Sequence, residues 1–115
     1  MDNTIMHFEI CVRDEKRGVG FYTRLFDWQI KRDDQFGYNE VMPGAEGIGG
    51  GIFQTDGKYP PYVSIYVTVD DVQKYLDKAE ALGGKNVFGP MPIPGVGTVG
   101  MFTDPDGNLI GLFQK

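Results

Sequence analysis

Several features that mark particular protein classes are scarce or missing in this 115-residue chain. The single cysteine, Cys11, cannot form an internal disulfide, so we expect a reducing, cytoplasmic location. No run of basic residues occurs and the net charge is −5, so we expect no nucleic-acid partner. No apolar stretch is long enough to span a bilayer, and no basic-then-apolar signal opens the chain, so we expect no membrane partner.

Glycine, by contrast, is abundant. The chain has 17 glycines and 7 prolines, which favours many turns and short strands over a helical bundle. Hydrophobic residues make up 41% and charged residues 23% of the sequence, a balance typical of a globular domain that buries one core.

The first half of the chain predicts a strand, a helix and three further strands. Ile5–Val12 alternates, with Phe8, Ile10 and Val12 on one face and His7, Glu9 and Cys11 on the other. Asp14 is placed to cap a helix whose apolar side chains recur at helical spacing: Val19, Tyr22, Leu25 and Phe26. The expected strands that follow are Trp28–Lys31, Phe36–Met42 and Gly49–Gln54.

The second half repeats this order. Tyr62–Val69 is rich in β-branched residues and predicts a strand, and Asp70 with Gln73 predicts a capping box at the start of a helix. Gly83 is expected to end that helix. The strands expected after it are Val87–Met91, Thr98–Thr103 and Leu109–Gln114, with a turn at Asp104-Pro105-Asp106-Gly107 before the last.

A repeated βαβββ unit therefore organises the chain. Placing Asp14 and Asp70 at equivalent positions gives an offset of 56 residues between the halves (70 − 14). We predict an α+β fold and a single domain over residues 1–115, with one module over 1–56 and a second over 57–115. Any ligand is expected in a cavity lined by the two half-sheets.

The sequence resembles the vicinal oxygen chelate superfamily of glyoxalase I, bleomycin-resistance proteins and extradiol dioxygenases. The segments that carry the resemblance are Phe21-Tyr22, Leu25-Phe26-Asp27-Trp28, Val69-Asp70-Asp71-Val72 and Asp104-Pro105-Asp106-Gly107-Asn108. The run Ile93-Pro94-Gly95-Val96-Gly97 is similar to that of a glyoxalase-related subfamily of mostly unassigned activity. The resemblance implies two half-barrel sheets with the helices outside.

Active members of that superfamily usually carry metal ligands at four positions, on the first and last strands of each half. By the resemblance these positions are His7, Gly51, Val63 and Gly111, and only His7 has a side chain that binds metals. Zinc, iron or magnesium sites need several such ligands. We therefore predict no metal and no cofactor, with a glyoxalase-like metal enzyme as an alternative.

His7 and Glu9 are the candidate polar site residues. His7 can serve as a hydrogen-bond donor or general base, or it can be a relic ligand bonded to a neighbouring strand. Glu9 can be a general acid or base with a raised pKa, or a carboxylate paired structurally with an arginine or the backbone. Cys11 is expected to be a small, buried hydrophobic residue. The predicted ligand-binding set is His7, Glu9, Cys11, Phe53, Val63, Ile65 and Phe113.

Two functions of different classes fit these residues. The first is a metal-free protein that binds a small organic molecule in an apolar cavity. The second is a metal-independent lyase or isomerase in which Glu9 and His7 act as acid and base. A homodimer is also expected, because exposed sheet edges in so small a domain need covering.

Overall fold

Ten elements follow one another in the order βαβββ–βαβββ within residues 2–115, the part of the chain that the computed structural model describes. Their bounds are β1 Ile5–Val12, α1 Glu15–Phe26, β2 Ile30–Asp33, β3 Tyr38–Val41, β4 Gly50–Gln54, β5 Tyr62–Thr68, α2 Val72–Ala81, β6 Lys85–Ile93, β7 Gly97–Thr103 and β8 Leu109–Gln114. The predicted α+β class and the repeated order are confirmed. None of the helices described in these residues is long and apolar enough to cross a membrane.

The chain divides into two units. One unit is His7–Val63, and the other is Ser64–Lys115 together with the residues that precede His7. In the first unit the strands lie in the order β2-β3-β4-β1, and in the second they lie in the order β5-β8-β7-β6. In each unit the first and last strands pair parallel while the other neighbours pair antiparallel. The predicted module boundary after residue 56 stays a prediction.

In the His7–Val63 unit, α1 packs against one face of the sheet. Asp14 caps the helix as predicted, because its Oδ1 accepts the Arg17 amide at 3.1 Å. Trp28 lies between helix and sheet, with ring centroids 5.5 Å from Tyr22 and 5.6 Å from Phe8. Phe8 thus points to the helix, and the alternation of β1 sends Glu9 to the other side of the sheet.

The opposite side of each sheet is here called the distal face, meaning the face turned away from that unit's helix. In the His7–Val63 unit it carries the side chains of His7, Glu9 and Cys11 on β1, which is the alternation expected from the sequence. Glu9 is 6% exposed and Cys11 is 2% exposed, so the distal face of β1 is covered by other side chains.

The unit containing Ser64–Lys115 has its core between α2 and the sheet. Val69, Val72, Leu76 and Leu112 form this core. Leu76 is fully buried, and truncation of such a leucine to alanine typically costs about 2–5 kcal/mol. Leu112 faces α2, so its neighbour Gly111 lies on the distal face of β8.

The cap of α2 differs from the prediction by one residue. Asp71, not Asp70, accepts the Lys74 amide at 3.1 Å, and Gln73 donates to Asp77 instead of completing a capping box. The halves are therefore related by 57 residues at their caps (71 − 14), which makes Ser64 the counterpart of His7. A one-residue shift along a strand moves every side chain to the other face.

The predicted turn before β8 and the predicted end of α2 are both confirmed. The Gly107 amide donates to the Asp104 carbonyl at 2.9 Å, which closes the predicted turn before β8. The side chain of Asp104 accepts hydrogen bonds from the Asn108 side-chain amide and from the backbone amides of Asn108 and Asp106. These bonds, first of all the one from the Asn108 side chain, hold the pKa of Asp104 below its ordinary value. Gly83 follows α2 with φ +101°, a conformation that suits glycine.

Candidate functional site

Four polar side chains of the His7–Val63 unit form one hydrogen-bonded chain. The Tyr62 hydroxyl donates to Glu9 Oε2 at 2.7 Å, and the Tyr38 hydroxyl donates to Glu9 Oε1 at 3.3 Å. The Tyr38 oxygen also lies 2.7 Å from Nε2 of His7. Tyrosines from β3 and β5 therefore bring a carboxylate and an imidazole on β1 into one cluster, here called the Glu9 cluster: His7, Glu9, Tyr38 and Tyr62.

Glu9 is the most deeply buried member of the cluster. Burial of a carboxylate costs free energy unless hydrogen bonds replace those from water. Each carboxylate oxygen accepts one phenolic hydroxyl here, and hydrogen bonds to a charged acceptor are stronger than neutral ones. The sequence predicted an arginine, the backbone or a ligand as partner, and the described partners are two tyrosines.

Burial favours the neutral form of the His7 imidazole. Burial lowers the pKa of His7 below 6.5, and the nearby charge of Glu40 opposes this shift in part. The Tyr38 hydroxyl has one proton, and its contact with Glu9 uses that proton. We therefore assign the Nε2–H tautomer to His7, in which the imidazole donates to the Tyr38 oxygen.

Aromatic rings flank the Glu9 cluster. The ring centroid of Phe53 lies 6.1 Å from that of Tyr38 and 6.0 Å from that of Tyr62. Phe53 on β4 therefore lies on the distal face, as its predicted role requires. Cys11 is buried as predicted, and burial together with the charge of Glu9 raises the pKa of its thiol.

Two of the positions that the resemblance assigns to metal ligands are covered by tyrosine rings. A Cβ atom built on Gly51 would lie 1.9 Å from the Tyr38 ring and hydroxyl, and one built on Gly111 would lie 2.6 Å from the Tyr66 ring. Each glycine thus makes room for a tyrosine from a neighbouring strand. This is why the Tyr38 hydroxyl can reach Glu9.

The residues at these four positions do not fit a metal ion. His7 offers an imidazole, but its Nε2 is engaged by Tyr38 and the two glycines have no side chain. At the remaining position the cap of α2 makes Ser64 the counterpart of His7, and the Ser64 hydroxyl donates to the Leu109 carbonyl at 2.8 Å. Across residues 2–115, no three His, Cys, Asp or Glu side chains are grouped closely enough to hold a metal.

The predicted faces of Val63 and Ile65 were wrong by one residue. The distal face of β5 carries Tyr62, Ser64 and Tyr66, so the intervening residues point towards the helical side. Val63 lies there beside Phe21 of α1. Phe113 belongs to the Ser64–Lys115 unit, where it shares the distal face with Gly111.

The sequence analysis missed Tyr38 and Tyr62. A predicted cap at Asp71 would have placed Tyr62 on the distal face. Because the cap was predicted at Asp70, Tyr62 was not recognised as a site residue. Tyr38 lies 29 residues from Glu9 along the chain, in a short strand of unremarkable pattern. Only the pairing of β3 with β4 brings it over Gly51.

Comparison with known proteins gives one family and several relatives. The family model "Glyoxalase/Bleomycin resistance protein/Dioxygenase superfamily" matches residues 4–112. "Putative glyoxylase CFP32" of Mycobacterium tuberculosis is 29% identical over 125 residues, covering 92% of this chain and 43% of that protein. The chain thus spans less than half the length of this relative.

Two further matches cover most of the length of the matched protein. "Probable lactoylglutathione lyase" of Vibrio cholerae is 27% identical over 128 residues, covering 99% of this chain and 92% of that protein. The crystal structure of methylmalonyl-CoA epimerase from Mycobacterium tuberculosis superposes with a TM-score of 0.64 at 15% identity, covering 96% of this chain and 86% of that one. The structural match shows a shared fold.

Proposed function

Because the chain belongs to the glyoxalase/bleomycin resistance protein/dioxygenase superfamily, we propose that it binds a small organic molecule through the Glu9 cluster, without a metal. The observation that carries this proposal is the convergence of a 6% exposed carboxylate, an imidazole and two phenols on the distal face of β1. Apolar side chains would satisfy the fold at these positions, so the convergence of titratable groups there makes the cluster a candidate functional site.

The chemistry of the cluster limits the class of ligand. The carboxylate of Glu9 accepts hydrogen bonds, so it suits a ligand hydroxyl, amide or amine that competes with a tyrosine hydroxyl. Phe53 and the two tyrosine rings offer apolar contact beside it. The proposed ligand is an organic molecule with an apolar body and a hydrogen-bond donor.

The test replaces Glu9 with glutamine, which keeps its shape and removes its charge. The probes are S-lactoylglutathione, methylmalonyl-CoA and bleomycin, chosen from the names of the relatives and the family. Glu9→Gln should weaken the binding of at least one probe by tenfold or more, a change of about 1.4 kcal/mol. Glu80→Gln on the exposed face of α2 is the matched control and should leave binding unchanged.

A purely structural Glu9 predicts a different result. In that case Glu9→Gln lowers the melting temperature by several degrees, at ~4–8 °C per kcal/mol for a small domain, while probe affinity stays intact. That outcome, or the absence of any probe-induced NMR shift at Tyr38 and Tyr62 in the wild type, contradicts the proposed site.

A second candidate function is a metal-independent isomerase or lyase. The observation that favours it is the continuous path from Glu9 through the Tyr38 hydroxyl to His7, with contacts of 3.3 and 2.7 Å. In the isomerase reaction the Glu9 carboxylate takes the proton from a carbon next to a carbonyl group. A proton then returns to the carbon from Glu9, or from the Tyr38 hydroxyl, which regains its proton from Glu9 across their contact. No electrons are lost or gained.

Deuterium exchange separates this enzyme from a binding protein. Incubation with methylmalonyl-CoA in D2O should replace the hydrogen at the carbon between its two carbonyl groups, and NMR follows the loss of that signal. An enzyme of this type should lose the exchange in Glu9→Gln and keep it in Glu80→Gln. Binding of the probe without exchange above the protein-free rate supports the first function.

We also propose that the chain forms a homodimer through β6. This strand is the edge of its unit's sheet, and Val87 and Met91 on it are 52% and 46% exposed. Because Pro90 and Pro92 interrupt the hydrogen-bonding edge of β6, the contact that we propose with a second copy is made by these apolar side chains. Light scattering should give twice the monomer mass, and Met91→Lys should shift the protein to the monomer; a wild-type monomer at micromolar concentration contradicts this.

A further inference from the structure

A cleft of about 560 Å³ opens beside α1 in the His7–Val63 unit. Its floor is formed by β1 residues such as Ile10 and Val12, and its walls by Phe21 of α1 and by Val63. Val63 is 70% exposed and Phe21 is 57% exposed, so two large apolar side chains face water across the cleft. A volume of this size is typical of small-molecule sites.

Two arginines line the same cleft. Arg13 follows β1 and Arg17 lies in the first turns of α1. In the part of the chain that the structure describes, neither has a carboxylate oxygen within 4.0 Å, whereas Arg32 pairs with Glu15 at 3.2 Å. Asp14 also lines the cleft, and its Oδ1 is engaged by the Arg17 amide.

We infer that this cleft binds an organic anion, a carboxylic acid with an apolar aryl or alkyl body. The two guanidinium groups supply charge and paired hydrogen-bond donors for the carboxylate, which arginine binds in a planar, bidentate geometry. Phe21 and Val63 supply the apolar wall for the body of the ligand. The cleft carries two guanidinium groups against the single carboxylate of Asp14, so it is locally positive in a chain of net charge −5 and suits an anion.

The cleft is a second site that adjoins the Glu9 cluster at Tyr62. β1 separates the two, because Ile10 and Val12 point towards α1 while Glu9 points to the distal face. Tyr62 is the residue of the cluster that also lines the cleft, so it is left unchanged in the test.

The probe is 4-phenylbutyrate, compared with its neutral amide 4-phenylbutyramide. NMR titration of the full chain should show saturable shifts of the Gly18 and Val63 amides with the acid, and at least tenfold weaker binding of the amide. The double variant Arg13→Gln/Arg17→Gln should weaken binding of the acid by about tenfold or more, because hydrogen bonds between charged partners are stronger than neutral ones. It should leave binding of the amide unchanged.

The matched control is Lys16→Gln/Arg24→Gln, which removes the same charge from α1 at two exposed positions that do not line the cleft. This control should retain the wild-type affinity for the acid. Equal loss in both double variants, or equal affinity for the acid and the amide, would each overturn the inference. So would shifts of the Val63 amide on dilution alone, because a second copy of the chain would then cover the cleft.

Discussion

Gly51→Ala is the most direct test of how the Glu9 cluster is built. The added Cβ would lie 1.9 Å from Cζ and the hydroxyl of Tyr38, too close for both to remain. The Tyr38 ring must therefore swing away, which breaks its hydrogen bonds with His7 and Glu9. The substitution adds one methyl group, yet it should remove Tyr38 from the cluster.

The magnitude follows from the two lost contacts. A neutral hydrogen bond contributes ~1 kcal/mol and one to a charged group ~1.5–3 kcal/mol, and the Glu9 contact is long at 3.3 Å. We expect Gly51→Ala to lower the free energy of unfolding by about 2–3 kcal/mol. At ~4 °C per kcal/mol for a domain of this size, the melting temperature should fall by about 8–12 °C.

The assay is thermal unfolding followed by circular dichroism, with two controls. Gly20→Ala makes the same change in α1, where the added Cβ would meet no atom within 4 Å other than its chain neighbours and its own helix backbone. It should stabilise the chain by up to ~1 kcal/mol. In a Tyr38→Ala background the cost of Gly51→Ala should nearly vanish, because the obstacle is gone. An equal cost of Gly51→Ala in both backgrounds would refute the role given to Tyr38.

Three further predictions follow from single residues. His7, the one histidine of the chain, should titrate below 6.5 by NMR. As pH falls through 6.5 the unfolded state gains a proton that the folded state resists, so the free energy of unfolding should fall. This pH-dependent fall should be smaller in His7→Gln. Cys11 should react with a thiol reagent at pH 8 far more slowly in the folded chain than in urea, and equal rates contradict its burial. Asp71→Ala should cost ~1 kcal/mol in urea unfolding, while Asp70→Ala costs no more than about 0.5 kcal/mol because its i,i+4 pair with Lys74 is exposed; the reverse order would restore Asp70 as the cap.

The sequence alone determined the features that depend on neighbouring residues. The alternation of β1 placed Phe8 towards the helix and Glu9 on the opposite face, because side chains in a strand alternate whatever the strand pairs with. Asp14 and the turn that ends at Gly107 were predicted because a cap and a tight turn form between residues a few positions apart. The repeated order of elements came from such local signals.

The tertiary structure decided what reaches Glu9. Tyr38 and Tyr62 donate to its carboxylate from 29 and 53 residues away, and the placement of Tyr38 depends on the pairing of β3 with β4. The predicted face of Val63 depended on whether Asp70 or Asp71 caps α2. Because side chains alternate along a strand, an error of one residue places each of them on the opposite face. The sequence indicated that Glu9 needs a hydrogen-bond partner, but it could not identify that partner. Side-chain hydrogen bonds between strands depend on the strand register, which only the paired sheet defines.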